Sequence, residues 1–318
     1  MSKPVITVFG ATGAQGGGLA RALLTDRDRH FAVRAVTRKP DSAAARALAH
    51  AGAQVVLADL DDGASVQRAL EGAYGAFFVT NFWEHMSAEK ELAQAHTLAA
   101  AAAQAGIHHA IWSTREDTRD YLPADGSRMP VLQKRFNVPQ FDAKGEAHRF
   151  FAQQRVPVTY LYTSGFWENL IHFGMGPQRG PDGKLAMTFP TGAARIPWIG
   201  AEDIGIAAHQ VFLRGDALIG ESIGLAGEHL TGAQIAVHLS AALGEHVAYQ
   251  AITPDQFRGL GFPCADELGN MWQFKREFEA AYCTKRDVGR ARALHPGIAN
   301  FATWLAANKT RIPVAQAA

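Results

Sequence analysis

Three glycines at positions 10, 13 and 16 lie in the run Gly10-Ala11-Thr12-Gly13-Ala14-Gln15-Gly16. Their spacing suits the capture of a phosphate. The first glycine allows a tight turn, the second lets an anionic group approach the backbone, and the third lets a helix pack closely on a strand. A helix that starts here offers unpaired N–H groups and the positive end of its dipole. The run sits between the β-branched stretch Val5–Phe9 and the segment Gly18–Leu24, whose Leu19, Ala22 and Leu23 recur at helical spacing. That strand–turn–helix setting predicts a pyrophosphate loop; a tight turn with no ligand is the plainer alternative.

A second cluster lies where the next strand ends, in Val36-Thr37-Arg38-Lys39-Pro40. Sites that grip a ribose 2′-OH often carry an acid at this point. Arg38 and Lys39 suit a 2′-phosphate, because a guanidinium makes charge-assisted bonds to it. Thr37, Arg38 and Lys39 therefore point to NADP(H) rather than NAD(H); an exposed basic turn with no role is the alternative. Asp59 and Leu60 end the third strand and are placed to meet an adenine edge, although Asp59 could equally belong to a helix start ahead of Asp62.

The elements that must carry these residues alternate along the first half of the chain. Apolar runs at 5–9, 31–36, 55–58, 76–79, 110–112 and 158–162 read as strands. Segments 18–24, 42–50, 65–70, 88–105 and 141–154 read as helices between them. Such alternation predicts an α/β fold, a doubly wound parallel sheet of Rossmann type. A smaller, mainly helical C-terminal substrate domain follows, in which Thr231 with Gln234 and Thr253 with Gln256 mark helix starts. The expected boundaries are 1–165 for the binding domain, with 190–215 returning to it, and 166–318 for the second. The stretch from Arg115 to Gln140, with Pro123, Pro130 and Pro139, breaks the rhythm. It reads as a long loop near the carboxyl edge of the sheet.

Composition narrows the function classes. Lys plus Arg number 31 and Asp plus Glu 30, a net charge of +1, which argues against direct binding to nucleic acid. The Lys134-Arg135 pair is too small to change that. Hydrophobic residues make up 47% and charged residues 19%, values that fit a folded globular chain rather than disorder. No apolar run is long enough for a bilayer, and the apolar stretch behind Lys3 is too short for a signal peptide. The two cysteines, Cys264 and Cys283, suit a reducing, cytoplasmic setting. They cannot build a metal cluster, and His108-His109 is only a pair, so no metal site is expected. The expected partners are a small-molecule substrate or a regulatory protein, and the composition is compatible with a homodimer.

A resemblance spans nearly the whole chain outside 115–140. The glycine run to Gly17, Thr80-Asn81-Phe82-Trp83, the 141–146 segment containing Lys144, Phe166–Leu170, Leu260–Pro263, Asp266–Phe274 and Phe301–Lys309 together resemble the NmrA-like family. These proteins are atypical relatives of the short-chain dehydrogenases and reductases, and the similarity is greatest to the NADP(H)-sensing branch. The resemblance implies that Gly10 to Gln15 hold the pyrophosphate and that Arg38 and Lys39 hold the 2′-phosphate. It also implies that Thr80, Asn81 and Phe82 line the end of the fourth strand and that Lys144 bonds the nicotinamide ribose. Ser164, Gly165, Phe166 and Trp167 would face the nicotinamide, with Ser164 standing where the family often has proline.

Catalysis is the open question. A short-chain dehydrogenase uses a tyrosine four residues before a lysine on one helix, and the tyrosine donates the proton that accompanies hydride transfer. Here Lys144 is present, but Gln140 stands four residues earlier. Ser113 and Thr114 sit where a supporting hydroxyl is expected, or cap the loop. His148 lies one turn beyond Lys144 and is an alternative acid, or a solvated helix histidine. Tyr121, Tyr160 and Tyr162 are further hydroxyls, and a desolvated Lys144 could itself be an acid. The expected function is an NADP(H)-binding redox sensor or regulator with a protein partner. The rival is an NADPH-dependent reductase of a quinone or another small unsaturated or aromatic substrate.

Overall fold

The computed structural model describes residues 3–123 and 126–314. The strands and helices of the first part of the chain are β1 (Val5–Val8), α1 (Ala14–Thr25), β2 (Ala32–Thr37), α2 (Ala43–His50), β3 (Gln54–Leu57), α3 (Gly63–Leu70), β4 (Gly75–Phe78), α4 (Phe82–His85), α5 (Ala88–Ala105), β5 (His109–Thr114), α6 (Pro139–Glu146), α7 (His148–Gln153) and β6 (Val158–Tyr162). Later come α8 (Ala201–Arg214) and β7 (Ser222–Gly224). The chain divides into two compact units. Met1–Asp117, Pro139–Tyr162 and Ala201–Ile223 form the first, and Thr118–Val138, Thr163–Gly200 and Gly224–Ala318 the second.

The first unit is built on a seven-stranded sheet in the order β7-β6-β5-β4-β1-β2-β3. Strands β1 to β6 pair in parallel, with Val8 opposite Ala35 on one side and Phe77 on the other. Both faces are covered, which is why β4 reads Gly-Ala-Phe-Phe with all four residues buried rather than alternating. Strand order reverses between β1 and β4, so the carboxyl ends of these two strands flank a crevice of the kind where α/β sheets bind ligands. Helices α1 and α8 approach so closely that a Cβ on Gly205 would lie 2.1 Å from the Leu19 backbone nitrogen. Only glycine fits there, and Arg21 pairs with Glu202 beside the contact.

The helix expected over 141–154 is two helices, because regular structure is interrupted at Ala147. The N-terminal caps follow the local chemistry. Ser42, Asp62 and Ser87 accept from first-turn N–H groups of α2, α3 and α5.

His109 on β5 is fully buried. The Thr159 hydroxyl donates to the Leu218 carbonyl at 2.6 Å, so it accepts from His109 Nε2 at 2.8 Å. Burial pushes the His109 pKa down to about 4. The neutral ring is therefore the folded form, and its contribution to stability is present above the ordinary histidine value and lost as pH falls toward about 4. Thermal melts between neutral pH and about 4.5 are expected to show falling stability, with a shallower slope in His109→Phe. Equal slopes in the two proteins would remove His109 as the cause.

The second unit contains two three-stranded sheets. One comprises Glu228–Leu230, Ile196–Ile199 and Gly165–Phe166; the other comprises Val247–Ala251, Leu185–Phe189 and Gln178–Arg179. Six helices between Gly232 and Asn308 supply most of its regular structure. Both expected capping boxes, Thr231 with Gln234 and Thr253 with Gln256, are formed. The long segment after Asp117 is fastened within this unit. Asn270 donates to the carbonyls of Pro130 and Asn137, and Gln273 to that of Arg128. Among the described residues no helix is long and apolar enough to cross a membrane.

Candidate functional site

The glycine run turns sharply at the end of β1. Gly10 has φ +64°, and a Cβ there would meet Val79 Cγ1 at 2.8 Å. A Cβ on Gly16 would lie 2.5 Å from the Gly10 carbonyl oxygen, so α1 starts pressed against the strand it leaves. Gly13 caps α1 without a side-chain bond, and the first turn carries no acid. The N–H groups of Ala14, Gln15 and Gly16 thus open the helix with no intrahelical partner and no local carboxylate, the arrangement an anion needs. Thr12, Gly13 and Ala14 are exposed. Ser113 at the end of β5 donates to Gln15 Oε1 at 2.7 Å, which ties the loop to a third strand.

At the end of β2, Thr37 accepts from the Lys39 N–H at 3.1 Å and shapes the turn that presents Arg38 and Lys39 to solvent. Arg38 is ion-paired with Glu84 on α4. Asp59 and Leu60 follow β3 and are half-buried. The Asp59 N–H donates to Ser65, and its carboxylate accepts from the Asp61 N–H. The helix start belongs to Asp62, which accepts from Ala64 and Ser65.

The end of β4 carries the most organised chemistry. Lys144 Nζ donates to the Thr80 carbonyl at 3.0 Å and to Thr80 Oγ1 at 2.6 Å, and it lies 2.6 Å from Glu91 Oε1. Thr80 Oγ1 in turn donates to the same Glu91 oxygen at 2.6 Å. These contacts account for all three N–H donors of the ammonium. His85 closes the cluster. Its Nδ1 accepts from the Ser87 N–H, so Nε2 carries the proton toward Glu91 Oε2 at 3.4 Å. Burial pulls the Lys144 ammonium below its ordinary pKa against the opposing pull of Glu91. Burial also works against the Glu91 carboxylate, but the Lys144 charge, the nearby His85 ring and the bonds from Lys144 and Thr80 outweigh it, so Glu91 stays below the usual range. Trp112 Nε1 and Thr114 Oγ1 both lie within hydrogen-bond distance of the Lys144 carbonyl and fix the helix end that carries the ammonium.

Nothing local in the sequence marks Glu91 or His85. Glu91 reads as one acid on an alanine-rich helix, 53 residues from Lys144, and only the approach of α5 to α6 joins them. Asn81 is exposed and Phe82 buried at the start of α4. His148 Nε2 meets Thr114 Oγ1 at 2.8 Å, and its ring lies 4.1 Å from that of Tyr160. Gln140 is buried, and neither polar atom of its amide finds a partner among the described residues. Within the second unit, buried Ser164 donates to the Leu225 carbonyl. Gly165 leaves room for the Trp198 ring, Phe166 is half-buried, and Trp167 is wholly buried beside Phe301 and Trp304.

A doubly wound sheet, a helix start after β1 with neither a side-chain cap nor an acid, and basic residues after β2 define a dinucleotide-binding fold of Rossmann type. The chain belongs to the NmrA-like family, whose model matches residues 2–305. The NmrA-like family domain-containing oxidoreductase FrzB of Cladobotryum sp is 28% identical over 297 residues, 87% of this chain and 85% of that protein. The crystal structure of NmrA, a negative transcriptional regulator, in complex with NAD is 25% identical. It has a TM-score of 0.77 and covers 96% of this chain and 94% of its own. The same regulator in complex with NADP has a TM-score of 0.75 at 25% identity, with the same coverage.

Proposed function

We propose that this protein binds NADP(H) at the carboxyl ends of β1, β2 and β4 and reports the state of that cofactor to a protein partner. Gly10 to Gly16 would hold the pyrophosphate, with the open N–H groups of α1 supplying most of the attraction. Thr37, Arg38 and Lys39 would take the 2′-phosphate, and Asp59 and Leu60 would flank the adenine. Thr80, Asn81, Phe82 and Lys144 would border the ribose at the nicotinamide end. The cofactor supplies a hydride when reduced. The observation that carries the sensor reading is the amide that stands where a short-chain dehydrogenase has its acid. Gln140 occupies the tyrosine position, and every donor of Lys144 is spent on Thr80 and Glu91. A sensor also requires that its two contact states differ in cofactor affinity, or the ligand shifts nothing.

Calorimetric titration with NADPH and, in parallel, NADH tests this reading. NADPH is expected to bind more tightly than NADH. Failure to bind either would overturn it.

A second reading, an NADPH-dependent reductase, draws on the retained and desolvated Lys144 and on a relative named as an oxidoreductase. A quinone suits it best, because its reduction yields an oxyanion that water can protonate. Sustained NADPH oxidation with a quinone, lost in Lys144→Arg while NADPH binding persists, would replace the sensor reading.

A further inference from the structure

Arg38 is the residue best suited to a 2′-phosphate, yet its guanidinium already has an anion. Nη1 of Arg38 contacts Oε1 of Glu84. The two residues come from different strand ends, Arg38 from the turn after β2 and Glu84 from the single turn of α4 after β4. Both side chains are about half exposed, 50% for Arg38 and 42% for Glu84, so a ligand arriving from solvent can reach the pair. Asp59 and Asp61 face the same guanidinium from the end of β3. Asp61 is itself paired with Lys90 at 2.7 Å, and Lys90 lies within electrostatic reach of Glu84. Lys39 is exposed beside Arg38. Three carboxylates therefore interleave with three cations where a doubly charged phosphate is expected to dock.

Sites that prefer the unphosphorylated ribose carry their acid at the end of β2. Here Arg38 and Lys39 occupy that stretch, and an acid returns to the same place from the β4 edge. We propose that Glu84 is a specificity-determining residue: it holds Arg38 when the ribose carries a 2′-OH, must give it up to a 2′-phosphate, and so narrows the preference for NADP(H) over NAD(H). The inference rests on the cofactor reading above.

The physical chemistry is an exchange. A guanidinium bonded to a carboxylate gains less from a phosphate than a free one does, because one charge-assisted pair is traded for another. The displaced carboxylate stays on α4, close to the phosphate, and repels it. An exposed ion pair contributes little to folding by itself, so neutralising Glu84 removes the competition and leaves the fold in place.

Wild type, Glu84→Gln and Arg38→Gln are titrated calorimetrically with NADPH and with NADH, at low salt and again at moderate salt. Glu84→Gln is expected to tighten NADPH binding by about threefold to tenfold, with NADH changed by less than about twofold. The gain shrinks as salt rises, since the two groups are exposed. Arg38→Gln is expected to move the NADPH-to-NADH ratio the opposite way. An unchanged ratio in Glu84→Gln at low salt, or ratios that shift in the same direction in both variants, would overturn the proposal. Wild-type protein that binds neither cofactor would overturn the cofactor reading and take this inference with it.

Discussion

Lys144→Met is expected to lower folding stability by about 3–5 kcal/mol near neutral pH, because it leaves Glu91 charged, fully buried and without its cation. The pH dependence gives the mechanism away. In the native protein Glu91 is held below its ordinary pKa. The stability it contributes is present above the ordinary carboxylate value and lost as pH falls through the folded one. Without the ammonium, burial acts on Glu91 largely unopposed and drives its pKa up. The deficit is then largest at neutral pH and shrinks as acid neutralises the carboxyl. Urea unfolding at about pH 7.5 and about pH 5.5 reads this directly. The double variant Lys144→Met with Glu91→Leu is expected to recover most of the loss, since an apolar pair can replace a buried ion pair. A deficit independent of pH, or no recovery, would show that the pair is not what stabilises this corner. Loss of activity in a Lys144 variant therefore needs a stability control before it is read as chemistry.

Gly16→Ala is expected to cut NADPH affinity by more than about tenfold, with the affinity change following the displacement of the loop. The new methyl would sit 2.5 Å from the Gly10 carbonyl oxygen and 2.7 Å from that of Phe9. Both are backbone atoms that no rotamer change can move aside. Relief comes only by lifting α1 off β1, which carries the helix N-terminus away from where a pyrophosphate would sit and costs about 1–3 kcal/mol of stability. Gly63→Ala is the matched control. Its Cβ would meet only Thr97 Cγ2, at an ordinary 3.7 Å, so binding and stability are expected to hold. Calorimetry and thermal melts on the two variants measure both effects. Equal affinities would mean the loop bends without consequence for the cofactor.

Much of the first unit was legible because its signals are local. The glycine run and the apolar strands each depend on residues within a few positions of one another, and so do the Thr231 and Thr253 caps of the second unit. The expectation for α5, 88–105, coincides with the observed element. What stayed hidden depends on distance along the chain. Nothing near Glu91 announces Lys144, nothing near Arg38 announces Glu84, and Gly205 reads as a stray helix glycine until α1 comes to rest against it. The break at Ala147 escaped for a related reason. The Lys144 carbonyl is met by Trp112 and Thr114 from β5, partners that helical periodicity cannot reveal.

The three-segment build of the first unit has a consequence for synthesis. Helix α8, which seats Gly205 against α1, and β7, which ends the sheet, lie beyond residue 200. During synthesis the glycine loop at 10–16 emerges long before α8 and β7, so the unit cannot close around that loop until the residues up to Ile223 have followed it. Until then, Phe212 is missing from its place beside Gly75 and His109, and α1 presents its Gly18 face uncovered. Nascent chains stalled before and after this point are expected to differ sharply in protease resistance, because domains gain protection only as complete units.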